Sequence, residues 1–259
     1  MPIKFYKYHG AGNDFIMVDS RELDNSIFTE KMVSWLCNRH LGIGADGLIL
    51  LMKDTQADFR MKYFNSDGRE GTMCGNGGRC ITAFARWLGI IKDKASFLGI
   101  DGLHESIINK DGLISLKMID VKEINPLNDG YFLNTGSPHF VTFRNDIHSI
   151  DVFREGREIR HESRFGIGGT NVNFVHMISD NELKMRTYER GVENETLACG
   201  TGTVASAICA YLRKKTDKTS YTIHAPGGEL HVQFRPEGKD TFRDIWLEGP
   251  AEYVFSGEV

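Results

Sequence analysis

The chain has 259 residues, 41% apolar and 25% charged, with a net charge of −4 and a pI near 6.1. This is a globular composition with room for one large or two ordinary domains, and its acidic balance argues against a general nucleic-acid binder and for a small-molecule partner. No window approaches a membrane span, the N-terminus lacks an apolar leader, and five cysteines without framework spacing fit a reducing compartment, so the expected location is the cytoplasm.

In chain order, Phe15–Val18 reads as a strand. Thr29 caps a helix in which Met32, Val33, Leu36, Cys37 and His40 fall at helical spacing, and Gly42 ends it. Leu48–Met52 and Phe59–Phe64 are expected strands, and Asn65-Ser66-Asp67-Gly68 is a turn. The helix expected after Cys74 carries Ile81, Ala83, Phe84, Ala85, Trp87 and Leu88, apolar round most of its circumference, and so must be enclosed. Glu105–Met118 looks like a hairpin turning at Lys110-Asp111-Gly112.

Beyond an expected boundary at residues 119–126 the pattern restarts. It gives a strand at Phe140–Phe143, a charged helix at Asp151–His161, and strands at Val172–Met177 and Leu183–Tyr188. A helix after Cys199 is apolar on every side from Val204 to Leu212, and strands run from Tyr221 to the end. Setting Cys74 on Cys199, an offset of 125 residues (199 − 74), brings Tyr63 onto Tyr188. At an offset of 124, Leu41–Leu48 falls on Phe165–Val172 and Gly12–Ile16 on Gly136–Phe140. Three landmarks in one order indicate an internal duplication. The expected fold is α+β: two pseudo-symmetric halves, residues 1–118 and 119–248, each a curled, mostly antiparallel sheet wrapped round a central helix.

The repeated feature is Cys74-Gly75-Asn76-Gly77 and Cys199-Gly200-Thr201-Gly202, each opening a helix. A thiol just before a helix sits where unpaired N–H groups and the positive end of the helix dipole favour the thiolate. Two such thiols suit the inversion of a carbon bearing a proton, which needs a base on one face and an acid on the other. The helix N-termini would hold the substrate carboxylate and offset the charge that develops, with no cofactor needed in principle. Gly42-x-Gly44-x-x-Gly47 matches the dinucleotide fingerprint in letters but follows a helix and enters a strand, the reverse of what that motif requires. Cys74 and Cys80 lack zinc-ligand spacing, and no metal is implied.

Several further stretches resemble successive motifs of the diaminopimelate epimerase family. They are Gly10-Ala11-Gly12-Asn13-Asp14-Phe15, Phe64-Asn65-x-Asp67-Gly68, Gly136-x-Pro138-His139, Asn171-Val172 and Tyr188-Glu189-Arg190-Gly191, with the two cysteine motifs. The resemblance runs nearly end to end. It implies a cofactor-independent epimerase that interconverts L,L- and meso-diaminopimelate for lysine and cell-wall precursor synthesis, with Cys74 and Cys199 as the base and acid. It places His139 and Glu189 close to the reacting centre and Asn13 in the pocket wall. Gly75, Asn76, Gly200 and Thr201 would hold the reacting carboxylate and amine, and Asn65, Asn171 and Arg190 the distal end. It also implies that residues 249–259 return to the first half, with a homodimer as the expected assembly. Ser137 stands where many members carry asparagine and Gly47 where several carry glutamine, and Glu189 to Cys199 is one residue longer than the common spacing. Two rival readings are a proline-type two-thiol racemase, disfavoured by Asn65, Asn171 and Arg190, and a thiol redox sensor. Cys37, Cys80 and Cys209 fit helix core faces and take a structural reading.

Overall fold

A computed structural model describes residues 2–214 and 216–259. In chain order its elements begin with β1 (Lys4–Gly10), β2 (Asn13–Asp19), α1 (Glu30–Cys37), β3 (Gly47–Met52), β4 (Phe59–Asn65) and α2 (Gly75–Trp87). Next come β5 (Lys94–Gly99), β6 (Gly102–Ile108), β7 (Ile114–Lys117), β8 (Ile124–Leu127), β9 (Gly130–Asn134), β10 (Pro138–Phe143) and α3 (Val152–Arg160). The chain closes with β11 (Asn171–Met177), β12 (Glu182–Glu189), β13 (Asn194–Thr196), α4 (Gly200–Lys214), β14 (Ser220–Ala225), β15 (Gly228–Glu237), β16 (Thr241–Gly249) and β17 (Glu252–Glu258). The chain divides into two compact units, Met1–Leu116 with Gly249–Val259, and Lys117–Glu248. No helix among the described residues is long and apolar enough to cross a membrane.

In the first unit the strands pair in the order β17, β1, β2, β3, β4, β5, β6, β7, antiparallel except at β2/β3 and β4/β5. In the second the order is β8, β9, β10, β11, β12, β14, β15, β16, antiparallel except at β10/β11 and β12/β14. The two ladders match place by place, so β17 supplies to the first unit the outer strand that β8 supplies to the second. Their registers match as well. Phe15 pairs with Gly47 and His139 with Asn171, both displaced by 124 residues (139 − 15, 171 − 47). Leu48 pairs with Phe64 and Val172 with Tyr188, again 124 apart (172 − 48, 188 − 64). The counterpart of Tyr188 is therefore Phe64 rather than Tyr63. The helices start 125 residues apart (200 − 75), so the additional residue enters between β12 and α4, after the strand register is set.

Each unit encloses one helix. α2 packs on β1, β2, β3 and β6, and α4 on β9, β10, β11, β12, β14 and β15. On the other face of the first sheet, Val33, Leu36 and Cys37 of α1 join Ile16, Val18, Leu48 and Leu50 in one apolar cluster. Strands β2 and β3 are thus covered on both sides, which is why Phe15–Val18 and Leu48–Leu51 are continuous apolar runs rather than alternating ones. The charged helix α3 covers the second sheet in the same way, with Val152 packed against Phe140, Val172, Phe174 and Tyr188.

Thr29 caps α1 as its sequence predicts, its hydroxyl accepting the Met32 N–H. The helix stops earlier than expected, at Cys37. Asn38 turns extended and its Oδ1 accepts the N–H groups of both His40 and Leu41 at 2.9 Å, a side-chain turn that competes with the next helical turn. Trp87 is not enclosed. It is 59% exposed at the end of α2, with one face against Tyr6 and Phe84.

Candidate active site

In the first unit Cys74 is the N-cap of α2, in extended conformation, with its carbonyl accepting the Gly78 N–H. Gly75 and Asn76 form the first turn, whose N–H groups point toward the N-terminal mouth of the helix. The Cys74 thiol donates to Asn13 Oδ1 at 3.6 Å, and Asn76 Nδ2 donates to the same oxygen at 3.2 Å. Asn13 Nδ2 donates in turn to Asp46 Oδ2 at 2.6 Å. Arg39 bridges Asp46 and Asp14 at 2.7 Å each, and Lys7, buried on β1, pairs with Asp14 and donates to the Gly44 carbonyl. Burial raises the Asp14 carboxyl, but hydrogen bonds from Arg39 and Lys7 outweigh it and hold the group well below the usual carboxylate range.

Arg79 lies one turn into α2 and is 0% exposed. Its guanidinium donates to Asn76 Oδ1 at 2.9 Å, Gly75 O at 3.4 Å and Pro250 O at 3.3 Å. The side chain therefore orients the Asn76 amide and ties the segment leading into β17 to the start of α2. Asn65 ends β4 and is exposed, with its amide nitrogen beside Gly71. Gly47 lies under the Tyr63 ring: a Cβ there would meet Tyr63 Cε2 at 2.5 Å, so Tyr63 fills the space a larger residue would need.

In the second unit Cys199 is 6% exposed and stands immediately before α4. Thr201 Oγ1 lies 3.6 Å from its sulfur and 2.8 Å from His139 Nε2. His139 Nδ1 faces Asn173 Nδ2 at 3.1 Å. Burial, with a smaller push from the Arg190 charge, lowers the imidazole pKa to about 3, so His139 is neutral. Asn171 Nδ2 donates to Ser137 Oγ at 2.9 Å and to Pro138 O at 2.8 Å, while its Oδ1 accepts the Arg190 N–H at 2.8 Å. Arg190 Nη2 reaches the same Ser137 hydroxyl at 3.5 Å. Glu189 accepts from the Thr196 hydroxyl at 2.9 Å, which fixes its carboxylate against β13. The longer stretch from Glu189 to Cys199 holds β13, paired back on residues 187–189 of β12.

The structure thus gathers Asn13, Asn76 and Cys74 into one bonded group, and His139, Thr201 and Cys199 into another, with Asn171, Ser137 and Arg190 linked beside it. Sequence reasoning missed Arg79, Asp46 and Asn173. Arg79 had a signal, a charge in the second turn of a helix that must be enclosed, away from the helix end where Arg86 can reach solvent. Asn173 had one too, since it lies two residues after Asn171 in a buried strand and so shares its face. The remaining thiols are buried. Burial pushes Cys37 up to about 12 and raises Cys80 and Cys209 well above the ordinary thiol value, as suits inert core residues.

The architecture, two units of matching strand order that each enclose one helix, defines a fold class that recurs in solved structures. Among solved structures it matches the Bacillus anthracis phenazine biosynthesis protein of the PhzF family, with a TM-score of 0.78 at 15% identity, covering 100% of this chain and 99% of that one. It also matches a probable proline racemase from Agrobacterium radiobacter, with a TM-score of 0.72 at 14% identity, over 99% and 92% of the two chains. Sequence narrows the class. The family pattern described as diaminopimelate epimerase matches residues 5–121 and 131–254, and the chain belongs to that family. A diaminopimelate epimerase of Flavobacterium psychrophilum is 51% identical over 257 residues, covering 98% of each chain. One from Chlorobaculum tepidum is 42% identical over 96% of this chain and 98% of its own.

Proposed function

We propose that this chain interconverts L,L- and meso-diaminopimelate by moving one α-proton between two thiols, Cys74 and Cys199. The observation that carries the reading is the recurrence of one half-site in both units, a cysteine at the mouth of an enclosed helix, in a chain related over its whole length to diaminopimelate epimerases. One thiolate takes the α-proton from one face of the carbon while the other thiol delivers a proton to the opposite face. The first-turn N–H groups at Gly75, Asn76, Gly200 and Thr201 hold the reacting carboxylate, and the two helix N-termini offset the charge that grows on it as the proton leaves. Each well-placed donor contributes about 3 kcal/mol to such a transition state. The chemistry needs no cofactor.

Asn65, Asn171 and Arg190 recognise the distal amino-acid end. Arg190 supplies a charge-assisted pair to the distal carboxylate, and Ser137, already bonded to Asn171, takes the place an amide would have. His139 and Glu189 support the reacting centre rather than exchange the α-proton: one is neutral and bonded to Thr201, the other anchored to Thr196. The partner is a small amino acid, and the assembly a homodimer in the cytoplasm. Chiral chromatography of L,L-diaminopimelate and of L-proline incubated with the protein tests the reading. Appearance of the meso isomer with proline unchanged supports it; racemised proline with unchanged diaminopimelate overturns it.

A further inference from the structure

Two hydrogen-bond chains end on the two thiols, and their directions are opposite. In the second unit Asn173, fully buried, starts the chain. Its Oδ1 accepts the Thr187 hydroxyl at 3.0 Å and its Nδ2 donates to the Phe140 carbonyl at 3.0 Å, so the amide has one orientation. The other hydrogen of Nδ2 points to His139 Nδ1, which must therefore be the bare nitrogen of the neutral ring. The ring proton is on Nε2 and goes to Thr201 Oγ1. Thr201 then has its own hydroxyl hydrogen left to offer, and the Cys199 sulfur is its neighbour. A hydroxyl that donates to sulfur favours the thiolate.

In the first unit the chain runs the other way. The Asp46 carboxylate, paired with Arg39, can only accept, so the Asn13 amide nitrogen faces Asp46 and its oxygen faces Cys74. Asn76 Nδ2 donates to that oxygen too, with the Asn76 amide itself oriented by Arg79. An acceptor beside the sulfur favours the S–H. We infer that the two thiols are unequal before substrate arrives: Cys199 carries the negative charge and Cys74 the proton. Asp46 and Asn173 are the positioning residues that set this, acting through Asn13 and through His139 and Thr201. The free protein is then poised for the isomer whose α-hydrogen faces Cys199. One turnover leaves Cys199 as thiol and Cys74 as thiolate, and a proton must pass between each thiol and solvent to restore the starting state.

The titratable and charged groups set toward the two thiols are Arg79, the Cys80 thiol and, behind Asn13, Asp46 with Arg39 in the first unit, and His139 behind Thr201, with Arg190 beyond it, in the second. Arg79 favours charge on Cys74 by its proximity and so opposes the Asn13 acceptor. The same guanidinium orients the Asn76 amide, whose nitrogen shares that acceptor with the thiol.

The inference rests on both thiols being functional, yet it is tested without substrate, so its failure is separate from failure of the proposed reaction. Alkylation by iodoacetamide is followed from pH 5 to 9 on the intact protein, with mass spectrometry assigning the rate to each cysteine. The expected result is a midpoint for Cys199 at least one pH unit below that of Cys74, a tenfold larger thiolate fraction, although Cys199 is the less exposed of the two. Thr201→Val should raise the Cys199 midpoint and Thr201→Ser restore it, while Asp46→Asn should lower that of Cys74. In ¹⁵N spectra of histidine-labelled protein, the His139 signal should be protonated at Nε2 and bare at Nδ1. Equal or reversed midpoints, a Cys199 midpoint unmoved by Thr201→Val, or a proton on Nδ1 would overturn the assignment.

Discussion

Gly77 and Gly202 hold the same place, the third residue of each enclosed helix, and alanine at the two should behave differently. A Cβ on Gly202 would lie 2.4 Å from Asn173 Oδ1 and 3.3 Å from His139 Cε1. Ordinary contact begins near 3.4 Å, so the amide would have to retreat by about 1 Å (3.4 − 2.4). It is pinned by bonds to Thr187, Phe140 and His139. A Cβ on Gly77 meets Ile49 Cδ1 at 2.9 Å and Met61 Cε at 3.2 Å, the far ends of flexible side chains that can rotate away. Alanine gains about 0.5–1 kcal/mol over glycine in a helix, so Gly77→Ala should stay within about 1 kcal/mol of the parent. Gly202→Ala adds about 1–3 kcal/mol of overpacking and about 1 kcal/mol for each buried bond it breaks, for a net loss of about 2–4 kcal/mol. It should also lower kcat, because the moved amide releases His139. Urea denaturation followed by circular dichroism, with the epimerisation rate measured on the same samples, decides the matter. Equal losses at the two glycines, or a larger one at Gly77, would refute the reasoning.

Other expectations follow from the same geometry. Because burial holds His139 near 3 against about 6.5 for the unfolded chain, the unfolded state binds a proton below pH 6.5 that the native state refuses. Stability is then lost as pH falls from about 6.5 toward 3, by about 2 kcal/mol between pH 6.5 and 5; His139→Gln should flatten that slope in urea titrations, and parallel slopes would contradict it. Arg79→Met removes three hydrogen bonds and leaves the buried Asn76 Oδ1 without its donor, at about 1–3 kcal/mol, but removes the cost of burying a guanidinium. Stability should therefore change by less than the sum of those bonds, while kcat falls at least tenfold through the released Asn76; a normal kcat would sink that role. Cys37→Ala, Cys80→Ala and Cys209→Ala should keep most of the activity wherever circular dichroism shows a native fold, and a selective loss of kcat in one of them would mark a third functional thiol or an error in the pair.

Much of this was legible in the sequence because the duplication wrote the signal twice. The paired cysteine motifs placed both enclosed helices, and the continuous apolar runs in β2 and β3 placed strands that the fold covers on two faces. What escaped were elements whose pattern is broken by partners distant in the chain. β1 carries Lys7 on the inside, tolerable only because Asp14 and the Gly44 carbonyl receive it. The end of α1 is decided by one Asn38 side chain against an apparent helical period that runs on to His40. The polar chains behind the thiols were invisible for the same reason. Asp46 and Asn13 are 33 residues apart, and Asn173 and His139 34, so only the folded sheet shows that each amide is oriented and which way its protons run.

The central claim is that one carbon is served by two thiols, one per unit. The most direct test follows L,L-diaminopimelate in deuterated water at early times, with mass spectrometry of substrate and product after chiral separation. A hydrogen removed by one thiol and replaced by the other, which exchanges with solvent, should put one deuterium at the inverted centre of nearly every meso molecule while recovered L,L substrate stays unlabelled. Product that retains the original hydrogen, or substrate that gains deuterium as fast as product forms, would mean that a single base works both faces and would contradict the account.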